Sequence, residues 1–235
     1  MGETRGEAPH IALVALFVTA LVTAQLIAVK VLALPLLVEL PVAGSAIIVP
    51  AGVLAYAVTF FTSDCYAELY GRRPAQVVVN VGFAMNFVML ALVWLAIEAP
   101  GSPAGVDPGA FATVFGLSTN IVVGSLAAYV VSQNWDVVAF HAIRERTGGR
   151  MLWLRNVGST ATSQLVDTVI FILVAFSAVP SLLGIGSALP IDALVQLIVG
   201  QYLLKLLFAL LDTPFVYAVV GYARRNGMRG EPVGD

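Results

Sequence analysis

Asp167 and Lys205 are the charged side chains set deepest in apolar sequence, in SQLVDTVIFILV and QYLLKLLFALL. Charges of opposite sign at such depth can hold a polar ligand, relay a proton, or do no more than fix helix packing. On an insertion scale each costs roughly 2.5–3.5 kcal/mol at a helix centre, and each neighbouring Leu, Ile, Val or Phe offsets roughly 0.3–0.6 kcal/mol. Insertion still wins, but the charges need compensation from mutual pairing or a polar cavity. Asn156, Thr160, Ser163 and Asp167 recur at intervals of four, three and four residues, with Gln164 beside them. Residues three and four apart share a helix face, so this stripe must face protein or water rather than lipid. Serine and threonine alone would be packing glue. Asparagine, glutamine and aspartate on the same side point to a substrate cavity. Gln201 stands one turn before Lys205, with Tyr202 adjacent, and Asp212 two turns after it. Pro214 then removes a backbone donor, so a kink is expected there, with Asp212 on the helix face or at the break.

Other clusters are less specific. In SDCYAELYGRR, Asp64, Glu68 and Arg72 are spaced i, i+4, i+8. Such a face can bind a cation, a proton or a basic substrate, and it can equally be a solvated helix end. Ser132, Gln133 and Asp136 lie near one face, one turn past Tyr129, and His141 and Glu145 form an i, i+4 pair that reads as structural. Thr19, Thr23 and Lys30 fall near one face of the first apolar run, with Gln25 off it, and Lys30 can snorkel to the interface. Ala20, Ala24 and Ala28 make a small-xxx-small ladder, which means close helix packing, internal or to a partner.

These residues must be positioned by a very apolar chain. Of its 235 residues 59% are hydrophobic and 11% charged, and its mean hydropathy is +0.92. Soluble domains carry about 25% charged and 45–50% apolar residues, so a soluble enzyme or a nucleic-acid binder is excluded. A crossing helix needs about 20 apolar residues. Six runs qualify: residues 11–33, 46–65, 77–97, 117–140, 157–179 and 193–220. No alternating period-two pattern is found, so an all-α membrane protein is expected rather than a barrel. It is read as a single six-span domain over 1–235, structured over about 11–220, with polar tails at 1–9 and 226–235. GSAIIVP suggests an irregular start to the second span, residues 98–109 and 181–190 read as loops, and AFATVFG as a short interfacial turn. Ten of the 12 Lys and Arg residues precede the first span, follow the second and sixth, or lie between the fourth and fifth. The positive-inside rule then places both termini in the cytoplasm of a multi-pass inner-membrane protein.

Cys65 stands alone and only His10 and His141 are present, so no disulfide framework, metal centre or cofactor is expected. The first apolar run is too long for a secretory signal. P-loop, H-E-x-x-H, G-x-S-x-G and G-x-G-D patterns are absent, as is a channel-like charged ring or filter motif. An intramembrane hydrolase therefore rests on Asp64, Asp167 and Asp212 alone.

Five blocks, spread over about residues 20–220, together resemble one family. SDCYAELYGRRPAQ resembles its signature of an Asp, then an acidic residue before Tyr-Gly and basic residues. QLIAVK is similar to its first-helix motif, which commonly has Asn where this chain has Gln25. SQNWDVVAFHAIRER, GSTATSQLVDTVIFILVAF and QYLLKLLFALLDTPFVY resemble its fourth-, fifth- and sixth-helix blocks. The family is the vitamin-uptake-related queuosine precursor transporters. The resemblance implies import of 7-deazaguanines, such as 7-cyano- or 7-aminomethyl-7-deazaguanine, for salvage into queuosine or archaeosine of tRNA. It also implies kinship with the fold of the substrate-binding subunits of energy-coupling-factor transporters. The family's polar positions fall on Asp64, Glu68, Gln133, Asp136, Ser163, Asp167 and Lys205. With Gln164 and Asn156, which could read the carbonyl and ring nitrogens, these form the expected substrate site for a deazapurine base. Phe171, Tyr202 and Phe208 are candidates to cover the flat ring. A solitary carrier, alone or as a homo-oligomer, and a binding subunit needing a separate ATPase module both stay open at this point, with the lipid bilayer as the shared partner.

Overall fold

The computed structural model describes residues 4–40, 44–147 and 152–225. Helix α1 (Thr4–Ile27) is helical ahead of the expected start at residue 11 and gives way to a β-hairpin. Strands β1 (Val31–Leu40) and β2 (Gly44–Pro50) pair antiparallel, with Val31 opposite Pro50 and Leu34 opposite Ile47. This corrects the all-helical expectation for the first span after Ile27 and for the start of the second. Runs of Leu, Ile and Val suit strand and helix alike, and a hydropathy window cannot separate them. Ile47, Ile48 and Val49 are β-branched, which favours the strand. Exposure alternates from Val31 to Leu36, a period-two signature embedded in the apolar run. Pro35 has no N–H for the ladder, and the register shifts between Pro35 and Leu40.

The remaining helices are α2 (Gly52–Tyr70), α3 (Arg72–Glu98), α4 (Pro108–Gly116), α5 (Ser118–Arg146), α6 (Leu152–Leu173), α7 (Val179–Leu183) and α8 (Ile191–Arg225). Their ends follow local chemistry. Gly71, at φ 94°, separates α2 from α3. Asp107 caps α4 by accepting from the Ala110 N–H at 2.8 Å, and Pro108 takes the first helical position, where no donor is missed. AFATVFG is thus part of a true helix. Between α6 and α7 the backbone makes a π-turn over Val174–Ala178. Pro180 cannot donate to the Phe176 carbonyl four residues back, and Leu189 N–H reaches that carbonyl instead at 2.9 Å. Pro214 does not end α8, as the helix runs on to Arg225 and Asp212 is interior to it.

Among the described residues, five stretches are long and apolar enough to cross a membrane: Ala8–Ile27, Arg72–Glu98, Pro108–Arg146, Val157–Leu183 and Ile191–Arg225. Leu92, Leu95 and Leu210 are 62–75% exposed, as lipid-facing side chains would be. The protein is a multi-pass membrane protein.

Two compact units are present. One gathers residues 1–30, 51–99 and 204–235, the other 31–50 and 100–203, and α8 contributes to both. In the first unit, α1 packs on α2 through its small residues. A Cβ on Gly52 would lie 2.6 Å from the Ala24 carbonyl oxygen and 2.8 Å from Ala28 Cβ. Ala20, Ala24 and Ala28 are all buried, so the alanine ladder is used inside the fold and lends nothing to a partner subunit. In the second unit, α5 and α6 pack closely, with Gly124 against Ala175. Gly200 of α8 touches the Ile48 carbonyl of β2 so closely that no side chain fits between. A helix thereby covers the hairpin, as an open strand edge in lipid would require.

Candidate functional site

In the second unit, the Ser132 hydroxyl of α5 donates to Asp167 Oδ1 of α6 at 3.3 Å. Gly124 meets Ala175 two turns away, so the two helices run antiparallel in register. That register sets Asp136 level with Ser163 and Gln164. Ser132, Ser163 and Thr168 are buried. Ser163 and Thr168 spend their hydroxyl protons on carbonyls of their own helix, at Thr160 and Gln164. Asp136 Oδ1 and Gln164 Oε1 are buried and have no hydrogen-bond partner among the described residues. Buried oxygens in this state are acceptors that need N–H or O–H donors.

Helix α8 adds to this seam. Tyr202 donates its hydroxyl to the Ala161 carbonyl at 3.2 Å, which brings α8 to the level of the polar stripe. Its neighbour Gln201 is 8% exposed, and Gln201 Oε1 likewise lacks a partner among the described residues. Gln201 joins the candidate set. Its spacing from Lys205 signalled a shared face, but spacing alone could not show that its side chain is buried. Phe171 packs edge-on against Phe176, with ring centres 6.0 Å apart, so it is committed to the core. Gln133 is exposed and is not drawn into the seam. Thr160 is exposed as well. The side chain of Asn156 lies outside the described residues.

The first unit holds the other charged candidates. Lys205 is 5% exposed, and its Nζ stands 5.9 Å from the centre of the Tyr56 ring. A cation at that range is attracted by the ring's quadrupole. Asp64 is exposed and lies within electrostatic range of Asp212 and Glu68. Glu68 takes Arg224 of α8 as its partner at 3.2 Å, and Arg224 also donates to the Glu68 backbone carbonyl. The expected single face of Asp64, Glu68 and Arg72 is corrected here, because Gly71 ends α2 and Arg72 opens α3. Asp167 and Lys205 fall in different units.

Buried polar groups on helices long enough to cross a membrane are what a helical carrier of polar molecules requires. Residues 50–219 match the family model described as "Putative vitamin uptake transporter", and the chain belongs to that family. A similar relative is the "Probable queuosine precursor transporter" of Bacillus subtilis (strain 168), 37% identical over 172 residues, which cover 71% of this chain and 69% of the relative. No solved structure matches the chain. The protein is a membrane transporter and not an enzyme. The family match starts at Pro50, so it takes in the seam and leaves α1 and nearly all of the hairpin outside.

Proposed function

We propose that the protein imports a 7-deazaguanine precursor of queuosine or archaeosine across the cell membrane. The observation that carries this reading is the pair of uncommitted buried oxygens, Asp136 Oδ1 and Gln164 Oε1, level with the Asp167 seam. A 7-deazaguanine offers a row of N–H donors from its ring and exocyclic amine. Asp167 accepts two of these bidentately, and Gln164, Asp136 and Gln201 take others. Lys205, whose charge is steadied by the Tyr56 ring, is the candidate donor to the base carbonyl. The similarity to a relative described as a probable queuosine precursor transporter supports this substrate class. Glu68 is the less suited carboxylate, because it is exposed and already engaged by Arg224. The whole chain acts as one membrane domain with α2, 19 residues long, as the sixth span and both termini cytoplasmic.

The test is salvage in a host unable to make the precursor, with the modified base in tRNA assayed at low external precursor. Expression of this chain restores modification, and Asp167→Ala or Lys205→Ala each abolishes it. Modification at the vector-only level, despite good membrane expression, would overturn the substrate assignment. Normal uptake by both variants would overturn the central role of the two charges.

A further inference from the structure

In the first unit, the start of α1, the end of α2 and the start of α3 border a groove of about 560 Å³. That is within the range of small-ligand sites, about 300–1,000 Å³. Its body is hydrocarbon: Val14 from α1, and Val77 and Val81 from α3. Val77 and Val81 are 60% and 45% exposed, so this wall is open to whatever surrounds the helices. Its polar groups are His10, Tyr66 and Arg73. The His10 ring nitrogen Nε2 and the Tyr66 hydroxyl are hydrogen-bonded at 2.7 Å, which ties α1 to α2. Arg73 is exposed and sits in the first turn of α3, as does Arg72, and no acidic residue shares that turn. The α3 dipole adds to their positive charge, and no carboxylate among the described residues lines the groove.

Arg73 stands at the start of α3, whereas Val77 and Val81 follow it one and two turns into the membrane span. The groove therefore has a cationic end at the membrane surface and an apolar body along two crossing helices. We infer that it is a binding site for an anionic phospholipid, with the phosphate on Arg73 and an acyl chain over Val14, Val77 and Val81. A flat base is a poor fit, because the valine wall offers it no acceptors. A basic juxtamembrane residue attracts anionic lipid, and a direct contact adds a charge-assisted hydrogen bond to the phosphate.

The experiment is native mass spectrometry of the full-length protein titrated with phosphatidylglycerol, with phosphatidylcholine of the same chains, and with glycerol phosphate. Phosphatidylglycerol is expected to bind roughly five- to tenfold more tightly than phosphatidylcholine. Arg73→Gln brings the two lipids to near parity, Val81→Trp weakens both, and glycerol phosphate alone does not bind measurably. Both positions are exposed, so the substitutions spare the core, and Arg73→Gln decides the matter even if Val81→Trp fails to fold. Equal binding of the two lipids by the unaltered protein overturns the inference, as does a preference that survives Arg73→Gln. Glycerol phosphate binding as tightly as the lipid makes this an anion site and overturns it. Displacement of lipid by a 7-deazaguanine assigns the groove to the substrate's path and overturns it as well.

Discussion

Gln164 holds a buried carbonyl oxygen that bonds to nothing among the described residues. Such an atom costs about 1–3 kcal/mol relative to a satisfied one. An apolar residue of similar size removes that cost, so Gln164→Leu should raise the stability of the empty transporter by about 1 kcal/mol. The same change should raise the KM for precursor about tenfold, because a donor on the base then faces hydrocarbon. Thermal melting of the purified protein and uptake kinetics measure the two effects. Lower stability with unchanged uptake would mean that Gln164 is a packing residue. The Glu68–Arg224 pair belongs to a different regime. Its side chains are 61% and 46% exposed, and exposed pairs contribute about 1 kcal/mol or less. Glu68→Gln should therefore leave the melting temperature nearly unaltered. Any sizeable fall in uptake then reports a role in transport rather than in folding.

Elements meet here through backbone as much as through side chains. At Gly52 a Cβ would press on the Ala24 carbonyl at 2.6 Å, and at Gly200 it would strike the Ile48 carbonyl of β2. Neither opposing group is the end of a flexible chain that could swing aside. Gly52→Val should separate α1 from α2, and Gly200→Val should lift the hairpin from α8, each at a cost of about 1–3 kcal/mol. Gly221 lies in α8 with nothing within 4 Å of its would-be Cβ. Gly221→Ala should be neutral or stabilising by up to about 1 kcal/mol through helix propensity. The folded fraction on size-exclusion chromatography separates the three. Equal yields would show that the close approaches carry no weight. The π-turn at Val174–Ala178 has a similar local cause. Pro180 frees the Phe176 carbonyl, and the following loop recovers it through Leu189.

At the scale of the whole molecule, orientation is the open quantity, and it is predicted from charge. Ten of the 12 Lys and Arg residues fall at the chain's start, after the second and sixth runs, and between the fourth and fifth. Reporter fusions at either terminus should score as cytoplasmic, and insertions at Gly105 or Ser187 as external. A reversed pattern would place Arg73 on the outer face. The membrane class and most of the spans were legible in the sequence, because transfer into lipid is a sum over near neighbours; of the expected α6 stripe Ser163 is buried whereas Thr160 is exposed. The π-turn before Pro180 was not read from the sequence, because the recovery of the Phe176 carbonyl by Leu189 depends on the fold of the following loop. The hairpin was hidden, because Val, Ile and Leu satisfy a strand and a span equally until Gly200 of α8 lies against β2. The uses of the alanine ladder and of Glu68 were hidden for a related reason. Their partners are Gly52 on the next helix and Arg224, 156 residues away along the chain. By itself the sequence determined where the chain enters lipid and which polar residues that entry makes costly. Only the tertiary structure decided which of those residues already have partners and which, like Asp136 and Gln164, hold a buried oxygen with no partner among the described residues, since satisfaction of a buried group depends on contacts between distant segments.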